Sequence, residues 1–119
     1  MGVCCWNMRE MQIRLTTTGR NTGRPHEVAI YAFEDGDNLV VVGSYGGRPQ
    51  DPDWAANLRS TPMATVRRGS DAVEHVVHEA EGVERDRLWT LVTGAFPLYE
   101  TYQSRTQRVI PLFVLEPRS

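Results

Sequence analysis

Turn-forming residues interrupt this chain at short intervals, and no other feature of the sequence limits the fold more strongly. Glycine, proline, asparagine and aspartate are frequent in residues 19–25, 35–37, 43–47 and 69–71. Several of the stretches between these clusters alternate apolar with polar side chains or are rich in β-branched residues, which is typical of strands. Strands joined by tight turns form hairpins, so the sequence predicts an antiparallel sheet.

The same pattern predicts about six strands and two or three short helices. The run Leu39–Val42 is continuously apolar, as expected for a strand buried on both faces. Asp51 followed by Pro52 resembles a helix start, with the aspartate as N-cap and the proline in the first turn. Pro111 lacks an N–H group, so we expect it at an edge or bulge of the last strand. Strands are predicted over residues 11–18, 26–34, 39–42, 63–68, 72–79 and 109–115, and helices over 51–58, over 84–93 and after Pro97. These elements suggest a small barrel of the α+β class.

Length and charge narrow the function classes. The 119 residues fit one domain with a single core. A net charge of −2, with no basic run interleaved with aromatics, argues against nucleic acid as a partner. No apolar stretch approaches the roughly 20 residues that cross a bilayer, and the N-terminus has no basic segment followed by an apolar one, so we expect a cytoplasmic protein. The adjacent cysteines, Cys4 and Cys5, supply no disulfide framework, which is consistent with a reducing compartment.

Individual residue types exclude further chemistry. All 13 basic residues are arginine, so lysine chemistry is excluded and guanidinium groups must hold any anionic ligand. His75 and His78 should face opposite sides of one strand, and His26 lies elsewhere, which argues against a metal site. The glycine spacings of nucleophile elbows, Walker loops and dinucleotide sites do not occur, which weakens hydrolase and nicotinamide hypotheses.

The first candidate site segment is the turn that follows the first strand. Its glycines, Gly19 and Gly23, permit close approach of the backbone, while the side chains of Arg20, Thr22 and Arg24 can bind an oxyanion. The alternative is a solvated hairpin with two surface arginines.

The second candidate segment is Ser44–Gly47, directly after the apolar third strand. Backbone N–H groups can converge on an anion or a planar ring at such a place. Trp54 and Asn57 are three residues apart and share a helical face beside this loop. Trp54 is equally consistent with a core position.

The third candidate segment carries Phe96, Tyr99 and Tyr102, spaced by three residues. The two tyrosines share one helical face, with Phe96 near its start. Buried tyrosine hydroxyls need partners, so this face suggests a pocket with apolar walls and a polar tip. An aromatic core face is the alternative.

Taken together, these segments resemble the actinobacterial deazaflavin-dependent nitroreductase family. The resemblance covers Leu15 to Pro117, and the order and spacing of the motifs are more specific than any one of them. The motifs that carry it are Leu15-Thr16-Thr17-Thr18-Gly19-Arg20, Ser44-Tyr45-Gly46-Gly47, Pro52-Asp53-Trp54-Ala55-Ala56-Asn57-Leu58, Pro97-Leu98-Tyr99-Glu100-Thr101-Tyr102-Gln103 and Ile110-Pro111.

The resemblance implies a split β-barrel, related to flavin-mononucleotide-binding proteins, that binds coenzyme F420 in a groove. By the family's pattern Arg20, Asn21 and His26 occupy positions that bind the anionic tail. Ser44, Tyr45, Gly46, Gly47 and Trp54 then border the ring, while Phe96, Tyr99 and Tyr102 line the acceptor pocket. With Thr22, Arg24 and Asn57 these residues form the predicted site. The chain departs from the pattern at four positions. Asn21 and His26 stand where basic residues are common in the family. Tyr45 stands where Lys is frequent, and Phe96 where Tyr is frequent.

The implied reaction is hydride transfer from reduced deazaflavin to an electron-poor acceptor, which is a quinone, an activated alkene or a nitroaromatic compound. The protein positions the acceptor and stabilises the developing anion, for which the hydroxyl groups of Tyr102, Ser44 or Tyr99 are suitable. Two rival hypotheses stay open at this point. One is an oxidoreductase of the same barrel class that binds flavin mononucleotide (FMN), and the other is a non-catalytic deazaflavin carrier.

The predicted domain spans residues 15–119 and follows an irregular segment over residues 1–14. The resemblance implies an N-terminal helix that closes the pocket, but only Met1 to Arg14 precede the first motif, so we expect this lid to be missing. A homodimer and a peripheral position at the inner membrane face are both compatible with the sequence.

Overall fold

The computed structural model describes residues 10–118 and contains six strands, three α-helices and a short 3₁₀ turn. Every strand pairing is antiparallel, and the barrel closes in the order β1-β2-β3-β6-β5-β4. The predicted α+β barrel and its three hairpins are therefore confirmed. The strands are β1 (Glu10–Thr18), β2 (Pro25–Asp35), β3 (Asn38–Val42), β4 (Met63–Arg68), β5 (Asp71–Glu79) and β6 (Leu112–Pro117), the helices are α1 (Asp53–Ser60), α2 (Gly82–Ala95) and α3 (Leu98–Ser104), and the 3₁₀ turn is Tyr45–Gly47.

Strands β3 and β6 separate two apolar clusters. Leu39 and Val41 point into the barrel interior, where α1 contributes Trp54 and Leu58. The alternate residues Val40 and Val42 point outward and are covered by α2 and α3. Successive side chains of a strand face opposite sides, so a strand with apolar cover on both faces needs an unbroken apolar run. The prediction that 39–42 is buried on both faces is confirmed.

Strand β2 is paired on both sides over only part of its length. Residues 25–33 pair with β1, whereas pairing with β3 is limited to residues 32–35. Within residues 10–118, the segment 25–31 has no strand neighbour on the side away from β1. The barrel wall is split at this edge, and the split positions the site described below.

The predicted N-cap of α1 is wrong by one residue. Pro52 occupies the N-cap position, with no side-chain cap, and the helix begins at Asp53. The Asp51 carboxylate accepts hydrogen bonds from Arg59 and Arg108, each at 2.6 Å. It is therefore held by two guanidinium groups and does not cap the helix.

Predicted boundaries in the first and last strands also differ from the structure. The last strand begins at Leu112, because Pro111 lies just ahead of it and contributes only its carbonyl, which accepts from Gly43 N at 2.9 Å. Strand β1 begins at Glu10, so the end of the irregular segment predicted over 1–14 belongs to the barrel. Residues 1–9 lie outside the described residues, and with them most of the segment to which the lid prediction applies.

Candidate functional site

A groove of about 960 Å³ opens beside the unpaired edge of β2. Its walls come from β2, the β1–β2 turn, the turn after β3, and helices α1 and α3. The structure brings nearly all of the predicted site residues to this groove. They are Arg20, Asn21, Thr22, His26, Ser44, Tyr45, Gly46, Trp54, Asn57, Phe96, Tyr99 and Tyr102.

Arg20 lies at one end of the groove and is tied to helix α1. Its Nη1 donates to Asn57 Oδ1 at 2.9 Å and to the Asp53 carbonyl at 3.3 Å. Its Nη2 forms an ion pair of 3.3 Å with the Asp53 carboxylate. The side chain stays 37% exposed, so part of the guanidinium still faces solvent.

Asn57, on helix α1, is hydrogen-bonded to the β1–β2 turn. It is buried, and its Oδ1 also accepts the backbone N–H of Arg20 at 3.1 Å. Its Nδ2 donates to Thr17 Oγ1 at 3.1 Å. Both ends of the amide are bonded to the protein, so Asn57 positions the turn, and the cofactor contact predicted for it stays a prediction.

Arg24 is one of two predicted residues that do not line the groove. The turn closes through Gly23 N, which donates to Gly19 O at 2.8 Å, and Gly19 N, which donates to Arg24 O at 2.7 Å. Thr22 Oγ1 accepts from Arg24 N at 3.2 Å. This turn leaves the Arg24 side chain on the exposed surface outside the groove. The cofactor contact predicted for Arg24 therefore stays a prediction, which the position of its side chain outside the groove does not support.

The turn after β3 has an unusual backbone. Tyr45 has a φ of 48°, and Gly46 and Gly47 follow with φ of 64° and 81°. A left-handed conformation is uncommon for a tyrosine, and such strain is often found at ligand sites. Arg108 fixes this turn, because its Nη2 donates to Ser44 O and its Nε donates to Arg48 O, both at 2.9 Å.

Gly47 is the other predicted residue that does not line the groove. It is buried against α3, where an added Cβ would lie 2.8 Å from the Tyr102 carbonyl oxygen and 3.0 Å from Arg105 Cβ. The ring contact predicted for it therefore stays a prediction, which its place outside the groove lining does not support. Its missing side chain serves the contact between the turn and α3, which places Ser44 and Tyr102 in one groove.

The wall of the groove formed by α3 and the residues just before it is aromatic. Tyr99 is 7% exposed and makes edge-to-face contacts with Phe33, Phe96 and Tyr102, at centroid distances of 6.0, 4.9 and 6.3 Å. Phe96 and Tyr102 are only half-buried. The pocket and core interpretations of this helix are therefore both correct, since Tyr99 belongs to the core cluster as well as the wall.

Trp54, on α1, also belongs both to the core and to the groove lining. Its ring packs edge-to-face on Phe113 at 5.8 Å in the barrel interior, and it also lines the groove. An aromatic residue at this place gives the groove a rigid apolar wall.

Sequence reasoning missed several groove residues. Val28, Ile30 and Tyr31 line the groove, but the sequence pattern assigns them only to a strand. The alternation of side chains along β2 is the signal that could have placed them at the unpaired edge. Arg48 and Asp53 also line the groove. Arg48 directly follows the Ser44–Gly47 motif and Asp53 lies inside the motif that begins at Pro52, but no local pattern indicates a role for either. Arg108 was missed because its partners are distant in sequence.

Charge in the groove is partly compensated. Glu27 contacts Arg14 at 3.5 Å, and Asp53 pairs with Arg20. Close by, Arg59 donates to Glu79 and to Asp51, and these bonds raise the pKa of its guanidinium further above its usual value. Among residues 10–118, no group of three or more histidine, cysteine, aspartate or glutamate side chains is arranged to hold a metal ion.

The geometry suits a flat, anionic ligand. Aromatic walls can enclose a ring, and guanidinium groups at the rim can bind acidic groups. Tyr102 and Ser44 line the same space, and each carries a hydroxyl that can donate to an oxygen of a second molecule. Within the described range 10–118, no helix is long and apolar enough to cross a membrane.

Comparison with known proteins gives consistent results. The family model described as F420H(2)-dependent quinone reductase matches residues 3–117. The chain is 35% identical over 107 residues to an F420H(2)-dependent quinone reductase of Mycobacterium tuberculosis, covering 87% of this chain and 72% of the relative. A solved F420-H2 dependent reductase (FDR-A) has a TM-score of 0.79 at 34% identity, covering 88% of this chain and 93% of the other. A solved domain-swapped dimer has a TM-score of 0.80 at 34% identity, covering 88% and 79% of the two chains.

Proposed function

Because the chain belongs to the F420H(2)-dependent quinone reductase family, we propose that it uses this groove to pass hydride from reduced coenzyme F420 to a quinone. Membership makes the chain an F420H2-dependent oxidoreductase with a split barrel and coenzyme F420 as its cofactor. The observation that carries the proposal for this site is that one groove joins the Arg20 turn, the Ser44 turn and the Tyr102 helix.

The donor set of the groove fits the cofactor. A deazaflavin has a planar ring and an acidic tail, and this groove has aromatic walls at Trp54 and Phe96 and guanidinium groups at its rim. At Gly19 a Cβ would lie 2.6 Å from His26 Nε2 and 2.7 Å from Thr22 Oγ1, so glycine lets these two side chains lie close to the turn. We propose that Arg20, Asn21, Thr22 and His26 hold the tail, and that Ser44, Tyr45, Gly46 and Trp54 border the ring.

The cofactor, when bound, supplies a two-electron hydride donor. The residues of the chain bind and orient the acceptor and stabilise the charge that appears on its oxygen. Tyr102 is the first choice for a donor to that oxygen, because it is half-buried and lines the groove beside Phe96. Ser44 and Tyr99 are the next candidates. Stabilisation of a developing oxyanion by one such hydroxyl contributes typically about 10²-fold in rate.

The acceptor proposal favours quinones over the other two classes. The relatives are named quinone reductases, and the aromatic wall formed by Phe96, Tyr99 and Tyr102 suits a flat electron-poor ring. Activated alkenes and nitroaromatic compounds place similar demands on the site. Side-by-side rates with menadione, an enone and a nitroaromatic compound would rank the three classes.

Two wider properties belong to the same proposal. The resemblance to a domain-swapped dimer supports assembly of two chains, which light scattering of the purified protein tests. Natural quinones are lipid-soluble, which supports a peripheral position at the inner membrane face. Flotation with anionic vesicles would test that position, and protein that stays at the bottom of the gradient would contradict it.

One titration tests the core of the proposal. Purified protein is titrated separately with oxidised F420 and with flavin mononucleotide, followed by cofactor fluorescence. We expect F420 to bind with a Kd in the low-micromolar range or tighter, about −8 kcal/mol or stronger, and menadione to oxidise F420H2 in the presence of the protein. Tight binding of flavin mononucleotide without F420 binding would contradict the proposal, and F420 binding without turnover would indicate a carrier.

A further inference from the structure

Arg48 lies at the rim of the groove on the turn after β3, and its surroundings differ from those of Arg20. Its guanidinium carbon lies 4.6 Å from the centroid of the Tyr45 ring. Its Nη1 donates to the Tyr45 hydroxyl at 3.2 Å. Both side chains line the groove. The guanidinium is thus held by an aromatic face and a neutral hydroxyl, which leave its charge uncompensated.

The charges around it support this distinction. Arg20 is the other arginine of the groove wall, and its Nη2 is paired with the Asp53 carboxylate. Glu27, also in the wall, lies against Arg14. Within residues 10–118, Arg48 is the groove arginine that forms no ion pair with a carboxylate. An incoming anion therefore meets an uncompensated positive charge at Arg48 and a partly neutralised one at Arg20.

The backbone that carries Arg48 is already fixed. Its N–H donates to Tyr45 O at 3.2 Å, and its carbonyl accepts from Arg108 Nε at 2.9 Å. Arg108 is itself 15% exposed and paired with Asp51 at 2.6 Å. Stacking on Tyr45 further restricts the side chain. A preorganised guanidinium loses less conformational entropy on binding than a free surface arginine.

We propose that Arg48, stacked on Tyr45, is a further anion-binding residue of this groove and, in addition to Arg20, takes an oxyanion of the cofactor's tail. The inference rests on the proposed function, since the ligand is the deazaflavin. A guanidinium fork binds two oxygens of a phosphodiester or a carboxylate equally well in geometry. The tail of the cofactor carries both groups, and each offers an oxyanion to Arg48. The titrations below distinguish which part of the tail is bound.

The test compares three probes by fluorescence titration at low salt. They are F420 with its glutamate tail, the same deazaflavin ending at the phospholactyl group, and the deazaflavin ribityl alcohol without phosphate. For Arg48→Ala we expect about tenfold weaker binding of F420, the scale of one charge-assisted contact, and unchanged binding of the ribityl alcohol. Equal loss with the phospholactyl form places the bound oxyanion in the phospholactyl unit, and loss only with the glutamylated form identifies a glutamate carboxylate.

Two further variants control for the net charge of the protein and for the planar shape of the guanidinium. Arg67→Ala removes the same charge from β4, at the cross-strand partner of Arg14 and away from the groove, and should bind F420 like wild type. Arg48→Lys keeps the charge without the planar fork and should recover part of the affinity. The salt dependence of F420 binding should be smaller in Arg48→Ala than in wild type.

The outcomes separate the inference from the function on which it rests. Wild-type protein that binds F420, together with Arg48→Ala that binds it equally well, overturns the inference and leaves the function intact. Equal weakening of all three probes also overturns it, because it shows that the variant has disturbed the turn. Wild-type protein that binds no deazaflavin overturns both.

Discussion

At the scale of single residues, Asn57 joins three parts of the site. Its amide accepts from the N–H and the guanidinium of Arg20 and donates to Thr17 from inside the barrel. It is 3% exposed, and its removal would leave the buried Thr17 hydroxyl and the part-buried N–H of Arg20 without this partner. Unpaired buried polar groups are costly, whereas the bonds themselves contribute little net energy.

We therefore predict that Asn57→Leu, which preserves volume, lowers the free energy of unfolding by about 1–3 kcal/mol. The Arg20 turn should loosen, and F420 affinity should fall as well. Urea denaturation and cofactor titration measure the two effects. Asn57→Asp retains the acceptor for Arg20 and should lose less of both. A Leu variant as stable as wild type would show that the turn does not depend on this amide.

The hydroxyl of Tyr102 has a role that can be separated from packing. Its ring contacts Tyr99 at a centroid distance of 6.3 Å and lies 5.7 Å from the Arg105 guanidinium carbon. Tyr102→Phe keeps both ring contacts and removes only the hydroxyl.

We predict that Tyr102→Phe slows hydride transfer by about 10²-fold, with F420 affinity almost unchanged. Stopped-flow oxidation of bound F420H2 by menadione measures the rate, and a thermal melt measures stability. If the hydroxyl serves only the packing of α3, the variant should instead lose about 1 kcal/mol of stability and keep wild-type turnover. That result would direct attention to Ser44 and Tyr99.

At the scale of elements, the turn after β3 and helix α3 meet at Gly47. Gly46 and Gly47 both have left-handed backbone angles, with φ of 64° and 81°. The two positions differ in the room available for a side chain. A Cβ at Gly46 would meet nothing within 4 Å, whereas one at Gly47 would lie 2.8 Å from a backbone oxygen of α3. The pair therefore separates backbone strain from close approach.

We predict that Gly46→Ala costs about 1 kcal/mol of stability through strain alone. Gly47→Ala should cost clearly more, and it should also slow menadione reduction, because α3 carries Tyr102 and must shift away from the turn. Thermal melts and steady-state rates of the two variants give the comparison. Equal effects of the two substitutions would mean that the contact with α3 is unimportant.

Prediction from sequence succeeded for elements whose signal is local. Met63–Arg68 was predicted with the bounds that the structure has, because an alternating run between Pro62 and a Gly-Ser-Asp turn is specified by its own residues. The prediction that Asp51 caps α1 is wrong because the partners of Asp51 are not local. Its carboxylate binds Arg108, 57 residues away along the chain, and no local pattern predicts a partner at that distance.

At the scale of the whole molecule, the sequence predicted the residues of the site better than their roles. The motifs identified most of the groove, because their order along the chain reflects how the barrel brings turns and helices together. It did not predict that Asn57 is occupied by Arg20, that Gly47 serves α3, or that Arg48 stacks on Tyr45. These are side-chain contacts fixed by the folded chain.

The unpaired edge of β2 has a consequence for the protein without its cofactor. Backbone N–H and C=O groups along residues 25–31 that point away from β1 form a template on which another strand could add, which is a route to aggregation. Amides on this side should exchange with solvent deuterium at least about tenfold faster than those of β3, which is paired on both sides. Saturation with F420 should slow this exchange and reduce light scattering on mild heating, whereas slow exchange in the apoprotein would show that the edge is already covered. In that sense the cofactor would also act as a chaperone for the strand beside which it binds.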